Sequence, residues 1–371
     1  VELAGMGPAP FGVMLLADLG ADVILVDRAD RAAGLPLEAS KTNVGGRGRR
    51  SIGVNLKSAE GIAVVRRLTD EADVVVEGFR PGVAERLGLG PDDLQATNPG
   101  LIYARMTGWG QTGPLADRAG HDINYLGLAG PLAHMGRAGA PPTVPLNLVA
   151  DFGGGGMFLA LGVCAALVER ATSGLGQVID AAMVDGVALL GSMIQPAYEM
   201  GFFSDQRGTN LLDSGAPFYD TYETADGKWM SVGALEPQFY AAMLEVTGLA
   251  GEDLPDQNDE AGWPLLRERF TAQFRTKTQE EWVAAFEGID ACVAPIHTFH
   301  AAGRDDHLVA RGTYVEVDGV VQAGPGPRFD RTPPTLDRPP ASIGFHTYEV
   351  LGELGFSDDE MVALREAGAV A

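Results

Sequence analysis

Along its first half the chain alternates short, almost wholly apolar runs with longer segments of helical period. Val1-Glu-Leu-Ala reads as a strand running into the glycine-rich turn Gly5-Met-Gly7, and Pro8 fits the first turn of a helix. Apolar residues then recur at Phe11, Met14, Leu15, Ala17 and Leu19 until Gly20, and residues 23–26 form a buried strand that stops at Asp27-Arg28. This is a β-α-β unit, with parallel strands and a right-handed crossover. Further strands are predicted at 51–57, 73–77, 101–106 and 176–180. A helix over 59–71 is capped by Ser58, with Ile62, Val65 and Leu68 or Thr69 inward. Short helices follow near 83–87 and from Pro91, then helices over 157–170 and 183–200. Residues 34–50 carry no period and read as an irregular, mobile segment. The alternation specifies an α/β fold: a large, Rossmann-like, doubly wound domain whose ligand sits beyond the carboxyl ends of its strands.

The pattern changes after residue 200. Residues 201–214 are polar and irregular. Residues 219–224 and 228–233, joined through Asp226-Gly227, form a β-hairpin, and Glu236 opens a helix before Pro237. Two helices, over 264–274 and 279–287, and a strand over 291–295 complete a smaller α+β domain. Residues 324–340 are rich in proline and read as an extended strap. The chain ends in helices over 347–354 and 361–367, the second preceded by the capping-box spacing of Ser357 and Glu360. The expected division is 1–200 for the large domain, 201–214 as linker, 215–323 for the small domain, 324–340 as linker, and 341–371 returning to the large domain.

Composition narrows the function. A chain of 371 residues with a formal net charge of −23 offers no basic face for a nucleic acid. The densest basic cluster, Arg47, Arg49 and Arg50, reads either as a phosphate contact or as a solvated loop. Two distant cysteines, Cys164 and Cys292, point to a reducing, cytoplasmic setting without disulfides. No signal-peptide pattern is expected, although the chain opens inside a strand, which points to residues preceding it. The longest apolar run, 157–168, is short for a membrane span and reads as a buried core helix. No zinc, Walker or EF-hand spacing occurs. The histidines at 297, 300 and 307 lack acidic or thiol partners at ligand spacing, so a metal site there is disfavoured. The turn after strand one, followed by Asp27, imitates a dinucleotide fingerprint, but its third glycine is replaced by proline, which disfavours a nicotinamide site.

The chemistry-bearing stretch is 120–156. It places His121 in Gly-His-Asp-Ile-Asn-Tyr and Asp151 ahead of Phe152 and four glycines, 153–156. An imidazole and a carboxylate at element edges, near backbone N–H donors, suit proton transfer to and from carbon. On the residues alone His121 is equally a satisfied core histidine, Asp151 an N-cap and Glu236 an ordinary helix start.

Taken in order, the motifs settle on a family. They are Leu19-Gly-Ala-Asp22, Asn55-Leu-Lys57, Glu77-Gly-Phe-Arg-Pro-Gly82, Glu85-Arg-Leu-Gly-Leu-Gly90, the segment 103–113, the segment 120–125, Asp151 with its glycines, the segment 176–185, Glu236-Pro-Gln-Phe239 and the stretch from Glu353 to Glu360. Together they span nearly the whole chain, which resembles the family III CoA transferases and, within them, the α-methylacyl-CoA racemases. The resemblance implies that Asp151 is the carboxylate common to the family, an acyl-anhydride former in transferases and a proton-transferring group in racemases. His121 marks the racemases, and Glu236 partners the pair. It implies CoA contacts from Arg28, Val54, Asn55, Leu56, Lys57, Gly78, Phe79, Arg80, Arg86, Gly120, Asp122, Ile123, Asn124 and Tyr125. It implies no metal and no cofactor beyond the CoA moiety of the substrate, no membrane partner, and an interlocked homodimer.

The expected reaction is inversion of the α-carbon of a 2-methylacyl-CoA thioester through an enolate, with His121 and Asp151 on opposite faces. Backbone N–H groups near Asp122 and at the start of the 157–170 helix would hold the enolate oxygen. Met106, Met183 and Met193 offer an adaptable surface for the acyl chain. The competing readings are a CoA transferase with Asp151 as nucleophile and a non-catalytic CoA-ester binder.

Overall fold

Six strands form one parallel sheet: β1 (Glu2–Leu3), β2 (Val23–Arg28), β3 (Arg49–Val54), β4 (Val74–Glu77), β5 (Ile102–Thr107) and β6 (Val178–Ala182). The protein is seen in a computed structural model that describes residues 1–31 and 41–371. The spatial order is β3-β2-β1-β4-β5-β6, the doubly wound order in which the strand sequence reverses at the β1/β4 boundary. All five pairings are parallel. Part of the expected mobile segment, 34–40, lies outside the described residues. The remainder is ordered: Val44–Gly46 is a short 3₁₀ turn, and β3 begins at Arg49.

That strand corrects both readings of the arginine cluster. Arg47, Arg49 and Arg50 are all buried. Arg47 pairs with Asp18 at 2.6 Å, and its other nitrogen donates to Gln322 Oε1 and the Ala323 carbonyl, each at 2.8 Å. Arg49 pairs with Glu2, both side chains being 2% exposed. Arg50 reaches Asp22 at 2.8 Å and Glu353 at 2.7 Å. Guanidinium forks satisfied by carboxylates and carbonyls are internal ties, with little capacity left for phosphate.

The chain divides into two units by contact: Val1–Ala129, Leu146–Leu190 and Asp306–Ala371 form the first, and Gly130–Pro145 and Gly191–Asp305 form the second. The boundary is thus at 190/191, ten residues before the expected one, because the apolar helix over 183–200 is broken into Met183–Leu190 and Ile194–Glu199. Gly130–Pro145 groups with the second unit because Arg137 pairs with Asp220 and Arg207 donates to the Ala133 carbonyl. Strands β10 (Tyr314–Val317) and β11 (Val320–Ala323) belong to the first unit, tied there by Arg47. Their Asp318-Gly319 turn, with φ of 52° and 81°, is a hairpin signal that the sequence reading passed over. In the second unit β7 (Tyr219–Glu223), β8 (Trp229–Gly233) and β9 (Val293–Pro295) form an antiparallel sheet over an aromatic core that includes Tyr222, Phe270, Phe274 and Trp282.

Leu148–Ser173 is one continuous helix of 26 residues, wound as a π-helix over Leu148–Met157 and as an α-helix from Phe158. By length and composition it could cross a membrane, whereas the 157–168 run alone suggested otherwise. Nor is it a fully buried core helix. Leu159, Val163 and Ala166 are buried, while Leu161 and Val168 are 66% and 73% exposed. Its glycines explain its placement. A Cβ on Gly186 would fall 1.8 Å from the Gly154 carbonyl oxygen, one on Gly12 2.6 Å from the Gly156 carbonyl oxygen, and one on Gly156 2.6 Å from the Phe11 ring. The glycine run therefore brings backbone against the helices Pro8–Asp18 and Met183–Leu190.

Three stability outcomes follow. Gly186→Ala should cost about 1–3 kcal/mol in urea unfolding, through overpacking against rigid backbone. Gly352→Ala, with open space around it in the helix Thr347–Glu353, should instead be neutral or gain about 0.4–1 kcal/mol. Arg49→Met strands Glu2 in the interior and should cost about 3–5 kcal/mol. A double-mutant cycle with Glu2→Gln should return part of that loss.

Candidate active site

The first-unit loops that follow β1 to β5 supply the site. The turn after β1 brings Gly7, with φ of 78°, beneath Asp151, so that a Cβ there would sit 3.7 Å from Asp151 Oδ2. β1 flanks the point where strand order reverses, so the carboxylate stands over the crevice in which this sheet topology places ligands. A negative group above the turn also repels a pyrophosphate, which weighs further against the dinucleotide reading.

Asp151 lies in the first turn of the π-helical segment, near its positive end. Asn147 Nδ2 donates to Asp151 Oδ2 at 3.2 Å. Burial raises the proton affinity of Asp151 above the usual carboxylate range. Asn147 and the nearby His121 pull the other way, and the Asp122 charge adds to the rise. Asn147 was not foreseen; its spacing of four residues before Asp151 was the available signal.

His121 is the N-cap of the helix Asp122–Leu128, with extended backbone. Its N–H donates to Asn124 Oδ1 at 3.0 Å, and its carbonyl accepts from Asn124 and Tyr125. The imidazole is exposed. The Tyr125 ring holds the next layer, meeting Trp109 edge-on at a centroid distance of 4.7 Å. Gly108 and Gly120 are small for that ring: Cβ atoms there would lie 2.2 and 2.7 Å from its atoms. The structure thus brings His121, Asp122, Tyr125, Asn147 and Asp151 together.

Asp122, foreseen as a CoA contact, is instead 5% exposed. Its Oδ2 accepts from the backbone N–H groups of Ala150 at 2.8 Å and Asp151 at 2.9 Å. These are N–H groups that the start of a helix leaves without intrahelical acceptors. The enolate-donor expectation needs the same correction. Met157 lies inside a continuous helix and offers no free helix start. The groups left outside helical bonding are the N–H of Asp122 and Ile123.

The remaining foreseen residues line the strand ends. Arg28 closes β2, exposed and paired with Asp30 at 2.5 Å, an arrangement that raises its basicity through that hydrogen bond and charge. Val54 closes β3 and is buried. Asn55 Oδ1 accepts from Lys57 N–H at 3.1 Å, Leu56 packs on the core, and Lys57 is exposed. After β4, Phe79 N–H donates to Glu77 Oε2 at 2.6 Å, and Arg105 braces Glu77 at 2.8 Å. Gly78, Arg80 and Arg86 are exposed, as are Ile123 and Asn124. Of the methionines expected to line the acyl chain, Met106 and Met183 are buried and only Met193 is exposed; Met6, beside Gly7, is 92% exposed.

Glu236 belongs to the second unit. It is the exposed N-cap of the helix Pro237–Thr247, its carbonyl accepting from Phe239 and Tyr240. Among the described residues no cluster of three or more His, Cys, Asp or Glu is placed to hold a metal. His297 instead sits 3.3 Å from Asp305.

Comparison with known proteins gives this geometry a context. The alpha-methylacyl-CoA racemase of Mus musculus is 48% identical over 98% of this chain and 94% of its own length, and the human protein of the same name is 47% identical with the same coverage. The crystal structure of a CAIB/BAIF family protein from Brucella suis superposes with a TM-score of 0.80 at 28% identity, over 95% of this chain and 97% of that one. The profile of CoA-transferase family III matches residues 1–347. With the doubly wound sheet and the 120–156 cluster in place, the chain belongs to CoA-transferase family III.

Proposed function

We propose that the chain is an α-methylacyl-CoA racemase, inverting the α-carbon of 2-methylacyl-CoA thioesters by 1,1-proton transfer. The observation that carries this reading is the juxtaposition of two acid–base groups of different chemistry, His121 and Asp151, over the switch point of the sheet. Likeness to the mammalian racemases supports the substrate class. In one direction the Asp151 carboxylate takes the α-proton. The C–H electron pair moves onto the thioester oxygen as an enolate, and the His121 imidazolium returns a proton to the opposite face. The other epimer reverses the roles. The raised proton affinity of Asp151 makes it a better base than an ordinary carboxylate. The Asp122 N–H is proposed as the enolate donor. Lys57, Arg80 and Arg86 would meet the CoA phosphates beyond the carboxyl ends of β3 and β4. Only the CoA moiety of the substrate is required, and the setting proposed is cytoplasmic. We also propose a homodimer. The support is the apolar face that the helix Leu148–Ser173 exposes at Leu161 and Val168, together with Leu189 and Leu190 at 58% each.

The test is proton NMR of single enantiomers of a 2-methylacyl-CoA in D₂O. The wild type should lose the α-proton signal from either enantiomer and accumulate the other epimer. His121→Ala and Asp151→Ala should each lower inversion by about 100-fold or more, with residual exchange confined to one enantiomer in the first variant and to the other in the second. No exchange from either, with CoA passing instead to a free acid, would assign Asp151 as the nucleophile of a transferase. In the direction that uses Asp151 as base, activity is lost as pH falls through its raised pKa. The acid limb should therefore lie above the ordinary aspartate value of about 3.9.

A further inference from the structure

Asp122 is a buried carboxylate to which no acid–base chemistry has been given. It is 5% exposed, and among the described residues no ion pair joins it to a cation. One oxygen accepts from the N–H groups of Ala150 and Asp151, and the other, Oδ1, is buried without a protein partner. A bare buried anion is costly, and what compensates it here is the start of a helix: two unpaired N–H groups and the positive end of the dipole. Asn147, the residue at the cap position of that helix, makes no side-chain cap. Asp122 supplies the cap from another element.

The placement ties together two groups that are thirty positions apart in sequence. Asp122 follows His121 directly, so its backbone is part of the helix start that sets the imidazole. Its carboxylate holds the backbone N–H of Asp151 itself. We propose that Asp122 is a positioning residue for the reaction: it caps the Asp151 helix with its side chain, and so fixes the Asp151 carboxylate relative to the His121-capped helix. The inference rests on the racemase reading. A displacement of the order of 1 Å at a reacting group can cost about 100-fold in rate, and the two backbone bonds prevent it.

The same carboxylate supplies a fixed negative charge. The groups facing Asp151 are Asp122, His121 and Asn147, with Tyr125 in the same layer. The neighbouring helices Pro8–Asp18 and Met183–Leu190 meet its segment through Pro8, Phe11, Gly12, Met183 and Gly186. Of these, Asp122 opposes ionisation of Asp151 and His121 favours it. Removing the Asp122 charge while keeping an acceptor should therefore lower the Asp151 pKa.

The experiment compares wild type, Asp122→Ala and Asp122→Asn by the D₂O exchange assay and by kcat and KM against pH. Asp122→Ala should lower kcat by about 10- to 100-fold with KM within about threefold. Asp122→Asn should recover most of that loss and move the acid limb to lower pH, in the direction that uses Asp151 as base. Wild-type kcat in Asp122→Ala, with an unmoved profile in Asp122→Asn, would overturn the inference and leave the racemase reading standing. Equal losses in both variants with lowered Tm and an unmoved profile would overturn it too, leaving a purely structural carboxylate. If Asp122→Ala does not fold, the Asp122→Asn profile alone decides. Absence of exchange in the wild type would sink the racemase reading and this inference with it.

Discussion

The site depends on how closely one helix can approach two others. Gly154, Gly155 and Gly156 let the segment Leu148–Met157 lie against the helices Pro8–Asp18 and Met183–Leu190 with backbone nearly touching backbone. Any side chain at these positions would push the segment outward. Asp151 would then leave its place over Gly7, and the N–H groups of Ala150 and Asp151 would leave Asp122. The glycines act at one remove from chemistry: they set the distance at which the acid–base groups stand.

Much of this was legible in the residues, and the failures have physical causes. Periodicity found every strand of the parallel sheet, because most of these strands carry a short apolar run that is legible without tertiary knowledge. It placed β3 two residues late because Arg49 and Arg50 look like solvent. Only the positions of Glu2, Asp22 and Glu353 reveal that the guanidinium groups are paired inside. It extended the helix from Met183 through Gly191, since an apolar run carries no sign of where packing stops. His121 and Asp151 were legible as chemistry-bearing residues, though their proximity was not. Asp122 was read as a ligand contact because sequence shows a residue's charge and does not show which backbone its side chain meets.

The charge of −23 makes the internal cations more telling. In a chain with so few arginines and lysines, Arg47, Arg49, Arg50 and Arg105 are each placed within the first unit on carboxylates or carbonyls. They connect the sheet edge, the hairpin of β10 and β11, and the last helices. Arg105 braces Glu77, whose carboxylate fixes the Phe79 amide in the loop after β4. Burial raises the proton affinity of Glu77, so this brace weakens if the carboxylate takes a proton.

The winding of Leu148–Met157 has a further consequence for how such a chain can change. A π-helical segment holds more residues per turn than the α-helix it runs into. If a single residue were deleted from the glycine run, the segment could tighten into continuous α-helix. Everything upstream would then turn about the axis relative to the α-helix that follows. Asp151 would swing away from Gly7 while every glycine contact type remained available. In this segment, then, length is held as tightly as identity: a side chain on the glycine run pushes the segment outward, and an insertion or deletion turns the carboxylate out of the crevice.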